Sequence, residues 1–163
     1  MLRVDLRELA RGPVETRGEL KQDDPALEGI DVSLKEPVVV SGRLQAIGAG
    51  RFYWQGKATT VIQGECRRCL MAVSTPLSLE IGALFTQDAE ALDDPDSYPV
   101  APDATEVDVT PAVREEFMLA APRYAVCRED CKGLCPSCGQ DLNVAKCACT
   151  PAIDARWQGL RSN

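Results

Sequence analysis

Eight cysteines, arranged in four closely spaced pairs, are the residues of this sequence best suited to chemistry. Two thiolates separated by one to three residues can face the same tetrahedral metal ion, and eight thiolates suffice for two ions. Because the 163-residue chain contains no histidine, zinc is expected to be held by cysteine alone or by cysteine with a carboxylate. The candidate metal ligands are Cys66, Cys69, Cys127, Cys131, Cys135, Cys138, Cys147 and Cys149.

The spacing leaves the division of these cysteines between two ions open. If each pair stays whole, three groupings are possible. We favour one site made by the 135/138 and 147/149 pairs, which lie within 15 residues, and a second made by the 66/69 and 127/131 pairs. The leading alternative joins 66/69 to 135/138, as zinc ribbons do, and leaves the other two pairs together. A single ion with four spare thiols is less favoured because spare thiols are reactive.

Catalysis is not predicted. Four thiolates close the coordination sphere of a metal ion, whereas a catalytic ion needs an open position. Without histidine there is no Cys–His pair and no Ser–His–Asp triad. The Cys66–Cys69 pair lies between two predicted strands, whereas a thioredoxin-like pair opens a helix. We therefore expect no enzymatic activity and no small-molecule substrate.

The sequence predicts a cytoplasmic protein without a membrane segment. No apolar run approaches the roughly 20 residues of a membrane helix. The first residues alternate charged and apolar side chains and lack the apolar run of a signal peptide. Thiols stay reduced in the cytoplasm, so that metal binding is favoured over disulfides.

Period-two alternation of apolar and polar residues predicts antiparallel strands on both sides of the 66/69 pair. A hairpin is predicted around the Gly-rich turn at 47–51, and a third strand after Cys69. The side chains expected to face inward are Val40, Gly42, Leu44, Ala46, Phe52, Trp54, Ala58, Ile62, Leu77, Leu79, Ile81 and Phe85. A short strand is predicted within residues 1–10, and a loop or loosely packed arm over 11–30.

The predicted fold class is α+β: an antiparallel sheet or small partly open barrel with one or two helices and a cysteine-rich zinc-binding C-terminal segment. The β-rich domain would span 1–122, with an acidic loop at 87–108 and a helix at 110–121 that Thr110 caps. The cysteine-rich tail, 123–163, would pack back on the 66/69 pair and end in a second short helix.

Charge is unevenly distributed along the chain. The formal net charge is −7, and no lysine or arginine occurs between Leu70 and Val113. This acidic interval suits either a solvated loop or an arm for a basic partner. Basic residues near the cysteines could instead face RNA, or could balance the thiolate charge. They are Arg67, Arg68, Arg123, Arg128, Lys132 and Lys146.

Three stretches together resemble the YceD family, which is associated with accumulation of large-subunit ribosomal RNA. They are Cys66-Arg-Arg-Cys69-Leu, the run Val109-Thr-Pro-Ala-Val-Arg-Glu-Glu, and the pattern from Cys127 through Cys135-Pro-Ser-Cys138-Gly and Leu142-Asn143 to Cys147-Ala-Cys149. The resemblance covers nearly the whole chain and is most specific in its last third. It implies a factor in ribosome biogenesis.

Two modes of action remain open on physical grounds, and the resemblance allows either. The first is RNA binding, through the basic residues around the cysteines and a stacking surface at Tyr53 or Trp157. The partner would then be the large-subunit 23S ribosomal RNA. The second is a chaperone or adaptor whose acidic arm holds a basic ribosomal protein of the large subunit without touching RNA.

Overall fold

The computed structural model describes residues 2–88, 97–122 and 124–149. The chain divides into two compact units. The sheet unit comprises Met1–Gly64 and Ser74–Arg123, and the cysteine unit comprises Glu65–Val73 and Tyr124–Asn163. The second unit thus combines a short internal stretch around the 66/69 pair with the C-terminal part of the chain.

The described residues form mostly β-structure with one α-helix, so that the predicted α+β class is confirmed. The strands are β1 Arg3–Asp5, β2 Val14–Leu20, β3 Ser33–Leu34, β4 Val38–Gly48, β5 Arg51–Glu65, β6 Ala72–Thr86, β7 Ser97–Pro99 and β8 Glu106–Asp108. The helix α1 spans Thr110–Ala120, and two 3-10 helices cover Glu8–Arg11 and Pro25–Leu27. No helix within the described ranges is long and apolar enough to cross a membrane.

The strands build two open sheets. The larger has the order β2-β4-β5-β6-β7, and β3 also pairs with β5. The smaller contains only β1 and β8. The β2–β4, β3–β5, β4–β5 and β1–β8 pairs are antiparallel, whereas β6 and β7 run parallel. The sheets do not close into a barrel.

The predicted hairpin and the strand after Cys69 are confirmed. β4 and β5 pair in antiparallel register with Leu44 opposite Trp54, and a register shift between Ala46 and Gly48 precedes the turn. The side chains of Val40, Leu44, Trp54 and Ala58 are almost completely buried, as their alternation predicts. On β6, Ile81 and Phe85 are also buried, whereas Leu77 and Leu79 are half-buried.

The prediction of a loop over 11–30 is wrong for its first half, which forms the edge strand β2. Thr16 and Leu20 point into the core, while Glu15 and Glu19 are exposed. The alternation is therefore present, but its inward positions include a threonine and Gly18, which hydrophobicity does not reveal. The hydroxyl of Thr16 is buried because it accepts a hydrogen bond from Trp54 Nε1 at 2.9 Å.

The acidic interval 87–108 is not a loop throughout. β7 pairs with β6, and the ring of Tyr98 stacks on Phe85 at 5.2 Å between centroids. β8 pairs with β1 and buries Val107. The stacked ring of Tyr98 and the buried side chain of Val107 thus attach two parts of this acidic segment to the sheet unit. Residues 89–96 lie outside the described ranges, as does the predicted helix after residue 150.

Helix α1 ends one residue before its predicted end, and its predicted cap is wrong. Thr110 is the first helical residue, and its backbone N–H donates to the Asp108 carboxylate at 2.9 Å. Pro111 lies in the first turn, where its missing N–H costs nothing. Val113 and Phe117 are completely buried on the predicted face.

Two glycines make room for the indole of Trp54, the largest completely buried side chain of the sheet unit. A Cβ added at Gly42 would lie 2.7 Å from the ring, and one added at Gly56 would lie 2.3 Å from it. Gly42 and Gly56 face each other across the β4–β5 ladder. The ring therefore occupies a slot that requires the absence of two Cβ atoms.

We expect the substitution Gly56→Ala to destabilise the sheet unit by roughly 1–3 kcal/mol, because the added methyl overpacks a rigid ring. Gly64→Ala on the same strand is the matched control, since an added Cβ there meets no atom within 4 Å. Urea denaturation followed by circular dichroism measures both. If the two variants unfolded at the same urea concentration, the steric requirement for glycine beside the Trp54 ring would be contradicted.

Candidate metal centres

Four sulfur atoms from two separate stretches meet in the cysteine unit and form what we term the first centre: Cys66, Cys69, Cys127 and Cys131. All four Sγ atoms lie within 4.8 Å of one another. The Cys66–Cys131 and Cys69–Cys127 sulfur distances are 3.8 and 3.7 Å. The two stretches are joined by the backbone N–H of Arg67, which donates to the carbonyl of Ala125 at 3.0 Å.

A second group of four sulfur atoms, the second centre, comes from one continuous stretch: Cys135, Cys138, Cys147 and Cys149. These Sγ atoms also lie within 4.8 Å of one another. Cys135 is buried, whereas Cys138 and Cys149 are exposed. The structure thus brings the eight cysteines together in the grouping favoured from their spacing, and it does not join 66/69 to 135/138.

The first pair of each centre lies in the same kind of turn. The N–H of Leu70 donates to the carbonyl of Cys66 at 2.8 Å, and the N–H of Gly139 donates to that of Cys135 at 2.9 Å. Both donors have a left-handed backbone, with φ of 61° at Leu70 and 73° at Gly139. Glycine adopts this conformation freely, whereas leucine is strained there by roughly 1–2 kcal/mol.

The sulfur geometry fits a tetrahedral metal ion. With metal–sulfur bonds of about 2.3 Å, the edges of a regular tetrahedron measure about 3.8 Å. The two distances given for the first centre agree with that value. They are far longer than the roughly 2.05 Å of a disulfide bond. Both centres therefore have the donor set of a closed four-thiolate site, and each could hold one ion.

Backbone N–H groups favour the ionised form of cysteines in both centres. Burial disfavours ionisation of Cys66, but the N–H groups of Cys127 and Arg68, among others, lower the pKa of this thiol to about 6. The backbone N–H groups of Ser137 and Cys138 likewise lower the pKa of the Cys135 thiol to about 6. The backbone of the two turns therefore favours the thiolate form of these two cysteines.

Contact with neighbouring sulfurs, together with burial, raises the pKa of other thiols. Contact with Cys131, together with burial, raises the pKa of the Cys127 thiol to about 12. Contact with Cys138 is the main cause that raises the pKa of the Cys149 thiol to about 12. The close approach of four sulfurs therefore disfavours the fully ionised set, and a bound cation would offset this repulsion.

Of the basic residues proposed for RNA contact, two have structural roles in the cysteine unit. Arg68 donates from Nη1 to the carbonyl oxygens of Glu129 and Cys131, both at 2.9 Å. Arg128 donates to Asn143 Oδ1 at 2.9 Å and also forms an ion pair with Asp130 at 3.2 Å. Reversing the charge of Arg68 would therefore disturb the first centre itself.

Three of the remaining basic candidates belong to the described residues, and their side chains are exposed. The side chain of Arg67 is exposed and stacks over the ring of Tyr124, with 5.7 Å from Cζ to the ring centroid. Lys132 and Lys146 are exposed. Arg123 lies outside the described residues.

The two aromatic residues proposed for stacking are not both open to test in the structure. Tyr53 is half-buried, and its hydroxyl lies where a Cβ at Gly82 would be only 2.5 Å away. Trp157 lies outside the described residues. Tyr124, which the cysteine spacing does not single out, is a further aromatic side chain, with an exposed fraction of 73%. Its position three residues before Cys127 is the one sequence feature that places it near the first centre, because Cys127 is expected to share a metal ion with the 66/69 pair.

Comparison with known proteins gives one family and several relatives. A family model described as "Large ribosomal RNA subunit accumulation protein YceD" matches residues 54–162. An uncharacterized protein of Mycobacterium tuberculosis is 32% identical over 144 residues, which cover 85% of this chain and 62% of the relative. No solved structure matches.

Two chloroplast proteins are also similar, and both are named "Large ribosomal RNA subunit accumulation protein YCED homolog 1". The maize protein is 26% identical over 175 residues, covering 88% of this chain and 54% of the relative. The Arabidopsis thaliana protein is 27% identical over 122 residues, covering 58% and 38%. The chain spans less than two thirds of the length of these relatives.

We expect the reduced, natively purified protein to contain two metal ions per chain. Cys69→Ser should remove one equivalent and Cys149→Ser the other, because each serine leaves three thiolates at one centre. Ser137→Ala is the control: it changes a side chain beside Cys138 but keeps the backbone N–H. Elemental analysis of each variant gives the stoichiometry, and a metal-free wild-type protein would contradict both centres.

The left-handed positions give a second prediction. Leu70→Gly should relieve strain and increase metal retention at the first centre, whereas Gly139→Ala should reduce retention at the second centre about five-fold. That factor corresponds to about 1 kcal/mol of backbone strain. An added Cβ at Gly139 meets no atom within 4 Å, so that only the backbone conformation is tested. Competition with a chelator measures metal retention in both variants. If retention were unchanged in both, backbone strain at these two positions would not affect metal binding.

Proposed function

This chain belongs to the YceD family, and we propose from this premise that it is a metal-binding factor that supports the accumulation of large-subunit 23S ribosomal RNA. The observation that carries the proposal is the pair of four-sulfur centres. All eight cysteines of these centres fall within the matched residues 54–162. The two chloroplast relatives bear the same description in their names. The proposed site of action is the cytoplasm, during assembly of the large subunit.

Zinc is the proposed ion, and its role is structural. An all-cysteine tetrahedral set is typical of structural zinc, and it leaves no coordination position for a substrate. The buried apolar part of the first centre is small: Val73, Val126 and Leu134 pack around its cysteines. A structural zinc site can contribute about 10–16 kcal/mol to folding, so that the ions would decide whether this unit folds. A non-catalytic function follows from this closed coordination.

Direct contact with RNA is the first candidate mode of action. The exposed Tyr124 ring, already stacked on the Arg67 guanidinium, offers a face on which a nucleobase could stack. The exposed Lys132 and Lys146 belong to the same unit and could contact phosphates. Stacking and phosphate contacts together are typical of binding to single-stranded RNA segments.

Charge supports a second candidate, an adaptor for a basic ribosomal protein. The sheet unit contains 11 basic and 20 acidic residues, a formal charge of −9, whereas the cysteine unit contains 7 basic and 5 acidic residues. Two zinc ions with eight thiolates would add a charge of −4 to the cysteine unit and make it acidic as well. Such a protein attracts polycations and is repelled by the phosphate backbone.

Binding to large-subunit RNA fragments across a salt series separates these two candidates. For the RNA mode, affinity should fall steeply with salt, and Arg67→Glu or Tyr124→Ala should each reduce affinity about ten-fold, the equivalent of one lost stacking or charge contact. Arg43→Glu, an exposed arginine on β4, is the matched charge control. Arg67 is chosen over Arg68 because Arg68 holds two backbone carbonyls.

The opposite result would support the adaptor. If the zinc-loaded protein does not bind RNA at any salt concentration, but does bind a basic ribosomal protein of the large subunit, direct RNA contact is excluded. Absence of binding to either partner would contradict both modes.

A further inference from the structure

Asn143 lies on the loop of the second centre, between Cys138 and Cys147, but its side chain serves the first centre. Its Nδ2 donates to Cys131 Sγ, with 3.5 Å between the two atoms. We propose that Asn143 couples the two centres, so that metal bound at either centre raises the metal affinity of the other. This inference rests on the proposed binding of two ions, and it adds a dependence between them.

The side-chain amide of Asn143 uses its full hydrogen-bonding capacity. Besides Cys131, Nδ2 donates to Asp141 Oδ1 at 2.8 Å. Oδ1 accepts from the backbone N–H of Lys132 at 2.8 Å and from Arg128 Nη2 at 2.9 Å. Two N–H donors and two lone pairs are all that such an amide has. Because both groups that face Oδ1 are donors, the NH₂ group must be the one directed at the sulfur.

The contacts of Asn143 toward the first centre lie on a short stretch of backbone. Arg128, Cys131 and Lys132 belong to the segment that carries the last two ligands of that centre. One amide therefore fixes the thiolate of Cys131 and the backbone that follows it. Groups that orient a metal ligand in this way change metal affinity by about 10–100-fold when they are removed.

The position of Asn143 itself depends on the loop of the second centre. Its backbone N–H donates to Asp141 Oδ1 at 2.8 Å, and the N–H groups of Val144 and Ala145 donate to the Asp141 carbonyl. The N–H of Leu142 donates to Gly133 at 2.9 Å. This small turn lies between the 135/138 and 147/149 pairs, so that a metal ion bound to both pairs closes the loop around it.

Metal at the second centre therefore restricts the loop that positions Asn143. Without that ion, the 147/149 pair is no longer held to the 135/138 pair, and the amide must be ordered when the first centre binds its ion. The free energy of ordering then reduces the affinity of the first centre. Reciprocity requires that loss of metal at the first centre weakens the second by the same factor.

The test uses the full chain loaded with zinc under reducing conditions and challenged with increasing concentrations of a chelator. Rapid alkylation followed by mass spectrometry then identifies which cysteines have been released, so that retention is measured at each centre separately. We expect Asn143→Ala to lower the zinc affinity of the first centre about ten-fold, although no ligand of that centre is changed. Val144→Ala is the control, since that neighbouring side chain is 80% exposed.

A double-mutant cycle isolates the coupling. Cys138→Ser combined with Cys149→Ser disables the second centre and should also weaken the first about ten-fold. Adding Asn143→Ala to that variant should cause no further loss, because both changes remove the same contact. Asn143→Asp gives a second, less disruptive probe: it keeps both acceptors but places a carboxylate beside a thiolate, so that first-centre affinity should fall at least as far.

Three results would overturn the coupling. The first is a first-centre affinity within about two-fold of wild type in Asn143→Ala. The second is additive losses in the cycle, which would assign the dependence to the short chain segment between Cys131 and Cys135. In both cases the two metal sites would still stand. The third is a wild-type protein without zinc, which would remove the proposed function together with the coupling.

Discussion

Mutual repulsion between thiolates is the constraint on which the cysteine unit depends. Two sets of four sulfurs are gathered within 4.8 Å, and in each set the ionisation of one thiol raises the pKa of another. Backbone N–H groups of the two turns offset part of this cost, and Asn143 offsets a further part at Cys131. A divalent cation would offset the remainder, so that folding of this unit and binding of the proposed ion would be one process.

The sheet unit is stabilised differently. Its core is continuous and apolar, with Trp54 in a slot between two glycines and Phe117 of helix α1 completely buried. The indole N–H donates to the buried hydroxyl oxygen of Thr16, so that both polar groups are paired inside this core. One unit therefore depends on hydrophobic burial, whereas the other has the sulfur clusters whose charge the proposed ions would compensate.

Much of this arrangement could be predicted from the sequence, and the failures have physical causes. Alternation located β4, β5 and β6 because apolar side chains mark their inward face. It missed β2, where Thr16 is buried through a hydrogen bond that no hydrophobicity scale records. Short spacing favoured the observed grouping of the cysteines. The contacts of Tyr124 with Arg67 and of Asn143 with Cys131 depend on how the chain folds, which cysteine spacing alone does not reveal.

The two centres close loops of very different length. The Cys69 and Cys127 sulfurs that meet in the first centre are 58 positions apart, whereas Cys138 and Cys147 are separated by nine. Closing the longer loop costs roughly 1.6 kcal/mol more in chain entropy. During synthesis from the N-terminus, the 66/69 pair emerges long before its partners exist. We therefore expect Cys66 and Cys69, the earliest cysteines to leave the ribosome, to wait longest for their partners and to be exposed to oxidation in the interval.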